Sequence, residues 1–400
     1  MSLNEVPQAN RPHIAFFGCR NAGKSTVVNA VTGQALSIVS DQKGTTTDPV
    51  SKAMELLPLG PVVIIDTPGI DDIGGLGEMR VAKARQVLAR ADICVLIVDG
   101  SVGMCAADQA LLAQFQKAGV PHLIVYNKKD LCPASQDAPD GALQVSGLTG
   151  EGIWTLKERI AQLGARLSAT KPVIADLVRA GDHVVLVCPI DEAAPKGRMI
   201  LPQQMVMREL LDVHATALLT QPQELPALLA EMRRSPAMVI TDSQAFASVS
   251  PAVPQEVPLT SFSILLARMK GFLQTAAEGA AAIRRLKDGD TVLMAEGCTH
   301  HRQCNDIGTV KIPALLRKTT GRQLTFESCS GQEFPENLSR FALVIHCGGC
   351  MLTERAVQVR MRSASAQGIP FTNYGLALAS MTGTLERSVR LFPEIHSLFA

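Results

Sequence analysis

HIAFFGCRNAGKSTVVNA, residues 13–30, decides how this chain is read. A strand-length apolar run, His13–Phe17, ends on Gly18, and an amphipathic helical stretch, Lys24–Val31, follows. Between them Gly18-Cys-Arg-Asn-Ala-Gly23-Lys24-Ser25 fits the pattern G-x-x-x-x-G-K-S/T in the strand–loop–helix setting that the motif needs. Glycines let the backbone wrap around phosphates where a Cβ would block the path. The loop N–H groups and the helix N-terminus then face the anion. Gly18, Asn21, Ala22, Gly23, Lys24, Ser25 and Thr26 form the expected cradle. Lys24 places a point charge on the β- and γ-phosphates, and Ser25 offers a hydroxyl to Mg2+. The bland alternative, a chance glycine turn before a helix, does not account for the preceding strand.

Two further motifs follow in order, and a threonine-rich loop precedes them. Asp66-Thr-Pro-Gly69 closes the Val62–Ile65 strand. The Asp66 carboxylate can hold Mg2+ through water, and the Gly69 N–H can face the γ-phosphate. Asn127-Lys128-Lys129-Asp130 closes the Leu123–Tyr126 strand. Asp130 can accept two N–H bonds from the N1 and N2 edge of guanine, an edge that adenine lacks, so ATP would leave the carboxylate buried and unpaired. Lys128 can lie along the base plane, and Val145-Ser146-Gly147 can bring a backbone N–H to the guanine O6. Gly44-Thr45-Thr46-Thr47-Asp48 lies between the first two motifs. A hydroxyl there, with Thr46 favoured over Thr45 and Thr47, would complete the Mg2+ shell only while a γ-phosphate is present, which makes the loop a switch. Singly, the second and third motifs are weak signals, each readable as a solvated turn. Their order after the phosphate loop points to GTP and GDP.

Further along the chain, strands at His13–Phe17, Val62–Asp66, Ile93–Asp99, Leu123–Asn127 and Leu143–Ser146 alternate with helices at Lys24–Val31, Arg80–Ala89, Ala107–Ala118 and Ile153–Leu167. That is a doubly wound α/β pattern over residues 1–168. A second α/β unit, 172–258, reads as strand His183–Pro189, helices Gln203–Leu219 and Glu224–Arg234, and strand Ala237–Thr241. Ser248–Pro258, with three prolines, reads as a linker or irregular crossing. A third unit, 259–400, has strands at Val292–Ala295, Leu343–His346 and Pro370–Asn373. Its helices are Phe262–Ala277, Ala356–Ser365 and Leu376–Leu391.

The 400 residues suffice for several domains, and 46% of them are hydrophobic. No apolar run approaches the ~20 residues of a membrane span. The N-terminus has no basic, apolar leader, which makes a cytoplasmic protein the expectation. Formal net charge is +1, and residues 171–400 carry 23 basic against 21 acidic side chains. That balance, with 4% aromatics, argues against a nucleic-acid surface.

Of ten cysteines, Cys19, Cys94, Cys105, Cys132, Cys188, Cys304 and Cys329 read as scattered small apolar positions. Cys298-Thr-His300 and His346-Cys347-Gly-Gly-Cys350 differ, because each follows the C-terminal end of a strand, where α/β sheets put their sites. One crossover could bring the two loops side by side. Cys298, Cys347 and Cys350 with His300 or His346 could form a Cys3His zinc site, or hold three irons of a [4Fe–4S] cluster and leave the fourth exchangeable. His301 and Cys304 are close by. Glu296 and Asp306 read better as neighbouring or surface groups than as ligands.

The ordered nucleotide motifs resemble the TrmE–Era–EngA-like GTPases. That resemblance implies that Asn21 helps hold a K+ ion beside the phosphates. Ile70, after the Asp66 motif, stands where other GTPases carry a water-orienting Gln, so slow, K+-stimulated turnover is expected. The whole set resembles the HydF family of [FeFe]-hydrogenase maturation GTPases. Ala194-Pro-Lys-Gly-Arg198, Thr241-Asp-Ser-Gln-Ala-Phe246, Leu259-Thr-Ser-Phe-Ser263 and Thr372-Asn-Tyr-Gly375 extend the likeness over nearly the whole chain. It implies a GTPase domain, a dimerisation domain and a domain whose Cys298, Cys347 and Cys350 hold a [4Fe–4S] cluster. It also implies a homodimer that receives a diiron precursor from two radical S-adenosylmethionine maturases and delivers it to the apo-hydrogenase. Gly147 departs from the family, which usually has Ala after the Ser. An RNA- or ribosome-binding GTPase with a structural zinc module is the rival, disfavoured by the charge balance. A nickel-type insertion GTPase would need a His-rich tract, and eight scattered His do not make one.

Overall fold

The computed structural model describes residues 10–33, 50–67, 84–132, 139, 141–167, 171–190, 199–297, 306–331 and 333–399. The chain divides into two compact units, Met1–Thr170 and Lys171–Ala400.

The first unit is a six-stranded sheet in the order β2-β3-β1-β4-β5-β6. Its strands are β1 (His13–Gly18), β2 (Val50–Leu56), β3 (Gly60–Asp66), β4 (Ile93–Asp99), β5 (His122–Asn127) and β6 (Leu143–Gln144). All pairings are parallel except β2 with β3. Alternate side chains enter two different cores. Ile14, Phe16, Val62 and Ile64 pack with the helices Lys24–Thr32 and Ile153–Leu167. Ala15, Phe17, Val63 and Ile65 pack with residues 84–88 and the helix Ala106–Lys117. Burial on both faces is why these strands read as unbroken apolar runs. The register sets Phe16 beside Asp66, Gly18 beside Ile97 and Asp99 beside Asn127. The C-terminal ends of four strands therefore carry Gly18, Asp66, Asp99 and Asn127 along one edge.

The second unit contains two parallel four-stranded sheets, β10-β9-β7-β8 and β12-β11-β13-β14. The first comprises β7 (His183–Val187), β8 (Thr216–Thr220), β9 (Met238–Thr241) and β10 (Leu259–Ser261). The second comprises β11 (Thr291–Ala295), β12 (Thr325–Cys329), β13 (Leu343–His346) and β14 (Phe371–Asn373). One continuous core, from Val173 to Ile395, joins both. Residues expected to open a third unit near Leu259 behave otherwise: β10 is hydrogen-bonded to β9 and completes the middle sheet.

Three segments noted in the sequence meet between these sheets. Ser243 Oγ lies 2.9 Å from Ser261 Oγ and 2.6 Å from Ser263 Oγ. Asn373 Nδ2 donates to Ser263 O at 3.3 Å, and Thr372 Oγ1 to Ala276 O at 2.7 Å. Buried hydroxyls satisfied by one another fix how the two sheets dock. The Pro-rich crossing is held by Arg387, which donates to the carbonyls of Ser250, Val253 and Pro254 at 2.8, 2.8 and 2.6 Å.

Several helices are shorter than expected. The helix read as Gln203–Leu219 is Leu201–Asp212, and His214 at φ 59 turns the chain into β8. The expected Phe262–Ala277 divides into Phe262–Met269 and Leu273–Ala281, broken at Lys270–Phe272. Leu376–Leu391 becomes Tyr374–Met381 and Leu385–Val389. The helix Ile312–Thr320 and strands β2, β8, β10 and β12 had no counterpart in the sequence reading.

Candidate functional site

The phosphate loop bends where its sequence permits. Asn21 and Gly23 both take positive φ, 64° and 79°, and Asn is among the few side chains that tolerate that region. A Cβ on Gly23 would collide with the Asn127 amide. The loop thus presents the start of the helix Lys24–Thr32, with Asn21 and Thr26 exposed, Ser25 half-buried and Ala22 buried. Lys24 is 9% exposed, and its ammonium pairs with the Asp66 carboxylate. Thr67 Oγ1 donates to Phe16 O at 2.7 Å and ties the end of β3 to β1. Phosphate loop and Asp66 thus converge through the Lys24–Asp66 pair. Gly44–Asp48, with the favoured Thr46, and Gly69 and Ile70 lie outside the described residues.

The base-reading end is braced by side chains. Asn127 is buried and spans two loops. Its Nδ2 donates to Ala22 O at 2.9 Å, and its Oδ1 accepts from the Gly147 N–H at 2.9 Å. Its amide therefore fastens the phosphate loop to the Val145–Gly147 loop. Lys128, at φ 66, reaches Asp99 Oδ2 at 2.5 Å. Burial alone would raise the Asp99 pKa, but hydrogen bonds from Lys128 and Ser101 outweigh it and hold the carboxyl below its ordinary value. Asp130 Oδ1 accepts from Ser146 Oγ at 2.5 Å, and Ser146 Oγ in turn accepts from the Thr149 N–H at 3.1 Å. A Cβ on Gly147 would lie 2.9 Å from Val27 N and 3.1 Å from Thr26 C. This loop therefore packs too closely on the helix for a methyl group at residue 147.

In the second unit the strands that lead into the two expected loops lie side by side. β11 and β13 are adjacent, with Ala295 beside His346. The Gly297 N–H donates to Cys347 Sγ at 3.0 Å and the Gly349 N–H to the same sulfur at 3.4 Å. Cys298, His300, His301 and Cys304 lie outside the described residues. Burial raises the Cys347 thiol against those two N–H groups, and raises Cys350 against the attraction of Lys270. Lys270, 2% exposed, donates to Gly349 O at 2.5 Å and Leu352 O at 2.6 Å. Burial pushes its pKa down to about 8, opposed by Cys350, Cys347 and Glu354. Sulfur met by peptide N–H groups beside a buried ammonium is a fitting environment for thiolate-held iron, because both stabilise negative charge on sulfur.

His346 is placed for a different task from the ligand role the sequence allowed it. The ring is fully buried, with Nδ1 2.7 Å from Cys347 O and Nε2 3.1 Å from Arg360 Nη1. Burial, then the Arg360 charge, push its pKa down to about 3. Arginine can only donate, so Nε2 accepts and Nδ1–H is given to the carbonyl. Both nitrogens are engaged, and His346 fixes the turn that presents Cys347. Arg360 also donates to Gly331 O and lies over the Phe334 ring. Glu296 accepts from Tyr374 OH at 3.3 Å, and Asp306 caps Thr309 at 2.8 Å.

Sequence reasoning missed Asp99, Lys270, Arg360 and Cys329. Cys329, read as incidental, closes β12 in register with Ala295, and its thiol is pushed up to about 11 by burial. A polar residue at the end of an apolar strand or helix was the available signal for each of Asp99 and Lys270. Arg360 lay inside an ordinary mixed helix and gave none.

Three family models match this chain. The 50S ribosome-binding GTPase model covers residues 13–128, the hydrogen maturase F dimerization domain 173–271, and the hydrogen maturase F tetramerization domain 274–391. Among curated proteins, the tRNA modification GTPase MnmE of Prochlorococcus marinus (strain MIT 9303) is 36% identical over 171 residues, 40% of this chain and 36% of that protein. MnmE of Synechococcus sp. (strain CC9605) is 35% identical over 158 residues, 38% and 34% of the two. The chain thus spans about a third of the length of these relatives, within its GTPase part. Among solved structures, Aquifex aeolicus Era is 21% identical, covering 52% of this chain and 91% of that one with a TM-score of 0.34. The first unit is a GTP-binding GTPase domain, and with both hydrogen maturase F models accounting for the second, the chain belongs to the hydrogen maturase F family.

Proposed function

We propose that this chain is a cytoplasmic GTPase scaffold that holds a [4Fe–4S] cluster and assembles and delivers the diiron precursor of the [FeFe]-hydrogenase active site. The observation that carries this reading is the Cys347 sulfur, met by two peptide N–H groups beside the buried Lys270, in a chain whose other unit is a phosphate-loop switch.

In the switch, Lys24 and Asp66 neutralise each other. A nucleotide with Mg2+ replaces that one ion pair by two: Lys24 turns to the phosphates, and Asp66 with Ser25 and Thr46 to the metal. Asp130 exchanges the Ser146 hydroxyl for the guanine N1 and N2 hydrogens. Asn21, at its left-handed turn, is the K+ contact, and without a Gln after Gly69 hydrolysis is slow. Equal GTPase rates in K+ and Na+ would remove the potassium role.

In the second unit Cys298, Cys347 and Cys350 hold three irons, with His300 the remaining candidate ligand and His346 a brace. A bound cluster supplies one iron with an exchangeable position, which is where cargo can attach and leave. Residues 173–271 and 274–391 then serve self-association, as dimers that pair further. Two radical S-adenosylmethionine maturases load the scaffold and the apo-hydrogenase unloads it. Nucleotide state sets when partners dock, through differential affinity for the two switch states.

Anaerobic reconstitution with iron and sulfide tests the reading. Wild type should give cluster absorbance and an EPR signal on reduction, and Cys298→Ala, Cys347→Ala and Cys350→Ala should each lose them. A colourless protein with one tightly held Zn2+ per chain would replace this reading with a structural zinc module.

A further inference from the structure

Behind the phosphate loop lies a thiol pair that none of the chemistry above uses. Cys19, directly after Gly18, has its Sγ 3.2 Å from Cys105 Sγ. Cys105 precedes the helix Ala106–Lys117, and its N–H donates to Asp108 Oδ2 at 3.1 Å. Ligand atoms of Cys19, Cys105 and Asp108 all lie within 4.8 Å of one another. Asp108 is 2% exposed, and its second oxygen, Oδ1, meets no nitrogen or hydroxyl donor among the described residues, while the weakly donating Cys19 thiol faces the carboxylate. Leaving a buried acceptor unmet costs about 1–3 kcal/mol, so such an oxygen calls for a partner.

We propose that Cys19, Cys105 and Asp108 bind a thiophilic divalent cation of the zinc class, with a water molecule as fourth ligand. Two sulfurs and one oxygen suit such an ion and disfavour Mg2+ or Ca2+. Zn–S bonds of about 2.3 Å in a tetrahedron set the sulfurs about 3.8 Å apart, so the pair opens by roughly half an ångström. A disulfide would require closure to about 2.05 Å and an oxidant as well. Metal binding displaces the two S–H protons to solvent and transfers no electrons. The bound ion would tie the first residue of the phosphate loop to the helix Ala106–Lys117. Occupancy of this site thereby bears on the stiffness of the nucleotide pocket, whether or not Cys347 carries a cluster.

The test uses the full chain with Cys298, Cys347 and Cys350 replaced by Ser, so that the other thiolate set is silent. Under anaerobic reducing conditions Co2+ is titrated and thiolate-to-cobalt charge-transfer absorption is read, with Zn2+ as competitor. One equivalent per chain should bind. The band should vanish on adding Cys105→Ser, and affinity should fall at least about tenfold on adding Asp108→Asn. In the unmodified chain, Zn2+ should slow alkylation of Cys19 and Cys105 at least about tenfold by mass spectrometry, a readout independent of how the variants fold. No band, a band unchanged by Cys105→Ser, or unprotected thiols would overturn the site. So would a Cys19–Cys105 disulfide in anaerobically purified protein.

Discussion

At the scale of single residues, both candidate sites depend on partners far away in sequence. Asp130 meets Ser146, 16 positions on, Lys128 meets Asp99, 29 positions back, and Lys270 meets Gly349, 79 positions on. Replacing Asp130 with Asn turns one of two acceptors into a donor facing the guanine N–H groups. Nucleotide titration should show GTP affinity lowered by about two orders of magnitude, roughly 3 kcal/mol, with xanthosine triphosphate regaining part of it. Lys270→Met leaves the carbonyls of Gly349 and Leu352 without their donor. Each is worth about 1–3 kcal/mol, offset in part because a buried ammonium is removed. Chemical denaturation should register a net loss of about 1–3 kcal/mol, and less iron should be retained per chain after reconstitution. The motif residues themselves were legible, because phosphate and base chemistry restricts which residue can stand at Gly23, Lys24 or Asp130. Their partners were not: a side chain that braces a loop only has to arrive there in space, and Arg360 beneath His346 leaves no trace in spacing.

Among the elements, legibility followed burial. Strands inside the sheets, such as β1, β4, β7 and β11, are covered on both faces and read as apolar runs. The unread strands β2, β8, β10 and β12 each lie at the edge of a sheet. With VSKAMEL, TALLT and TFESC, β2, β8 and β12 carry polar or exposed positions that a central strand would not tolerate, and β10 is buried but only three residues long. The overlong helix at Gln203–Leu219 has the same origin, since its apolar spacing runs on through an edge strand where only a positive-φ His214 marks the turn. At Gly147 the element scale also sets a limit on substitution. Gly147→Ala pushes the base-reading loop off the helix Lys24–Thr32 by a few tenths of an ångström. Fluorescence titration with GDP should show a several-fold weaker affinity, on the order of 1 kcal/mol, and unchanged binding would mean that the loop yields without disturbing Ser146.

For the whole molecule, the described cores fall into two sets, one within residues 14–160 and one within 173–395. Calorimetry should therefore resolve two transitions. GDP with Mg2+ at 100 times its Kd should raise the stability of the GTPase unit by about 2.7 kcal/mol and leave the other transition in place. A single transition shifted as a whole would mean that the units unfold as one. The sequence reading divided the second unit at residue 258, because a Pro-rich crossing looks like a linker. What the sequence did not reveal is that Arg387 closes that crossing from 133 to 137 positions downstream. The Arg387 clamp bears on the order of events during synthesis. The GTPase unit has all its strands and helices once residue 167 has left the ribosome, and it can fold while the rest is being made. The middle sheet is completed later: its crossing segment keeps three carbonyls waiting for a guanidinium that is translated more than 130 residues later. Until then a nascent chain carries β7–β10 with the crossing unclamped and part of the shared core still to be made, so this is the stretch of the chain that has most to gain from a chaperone.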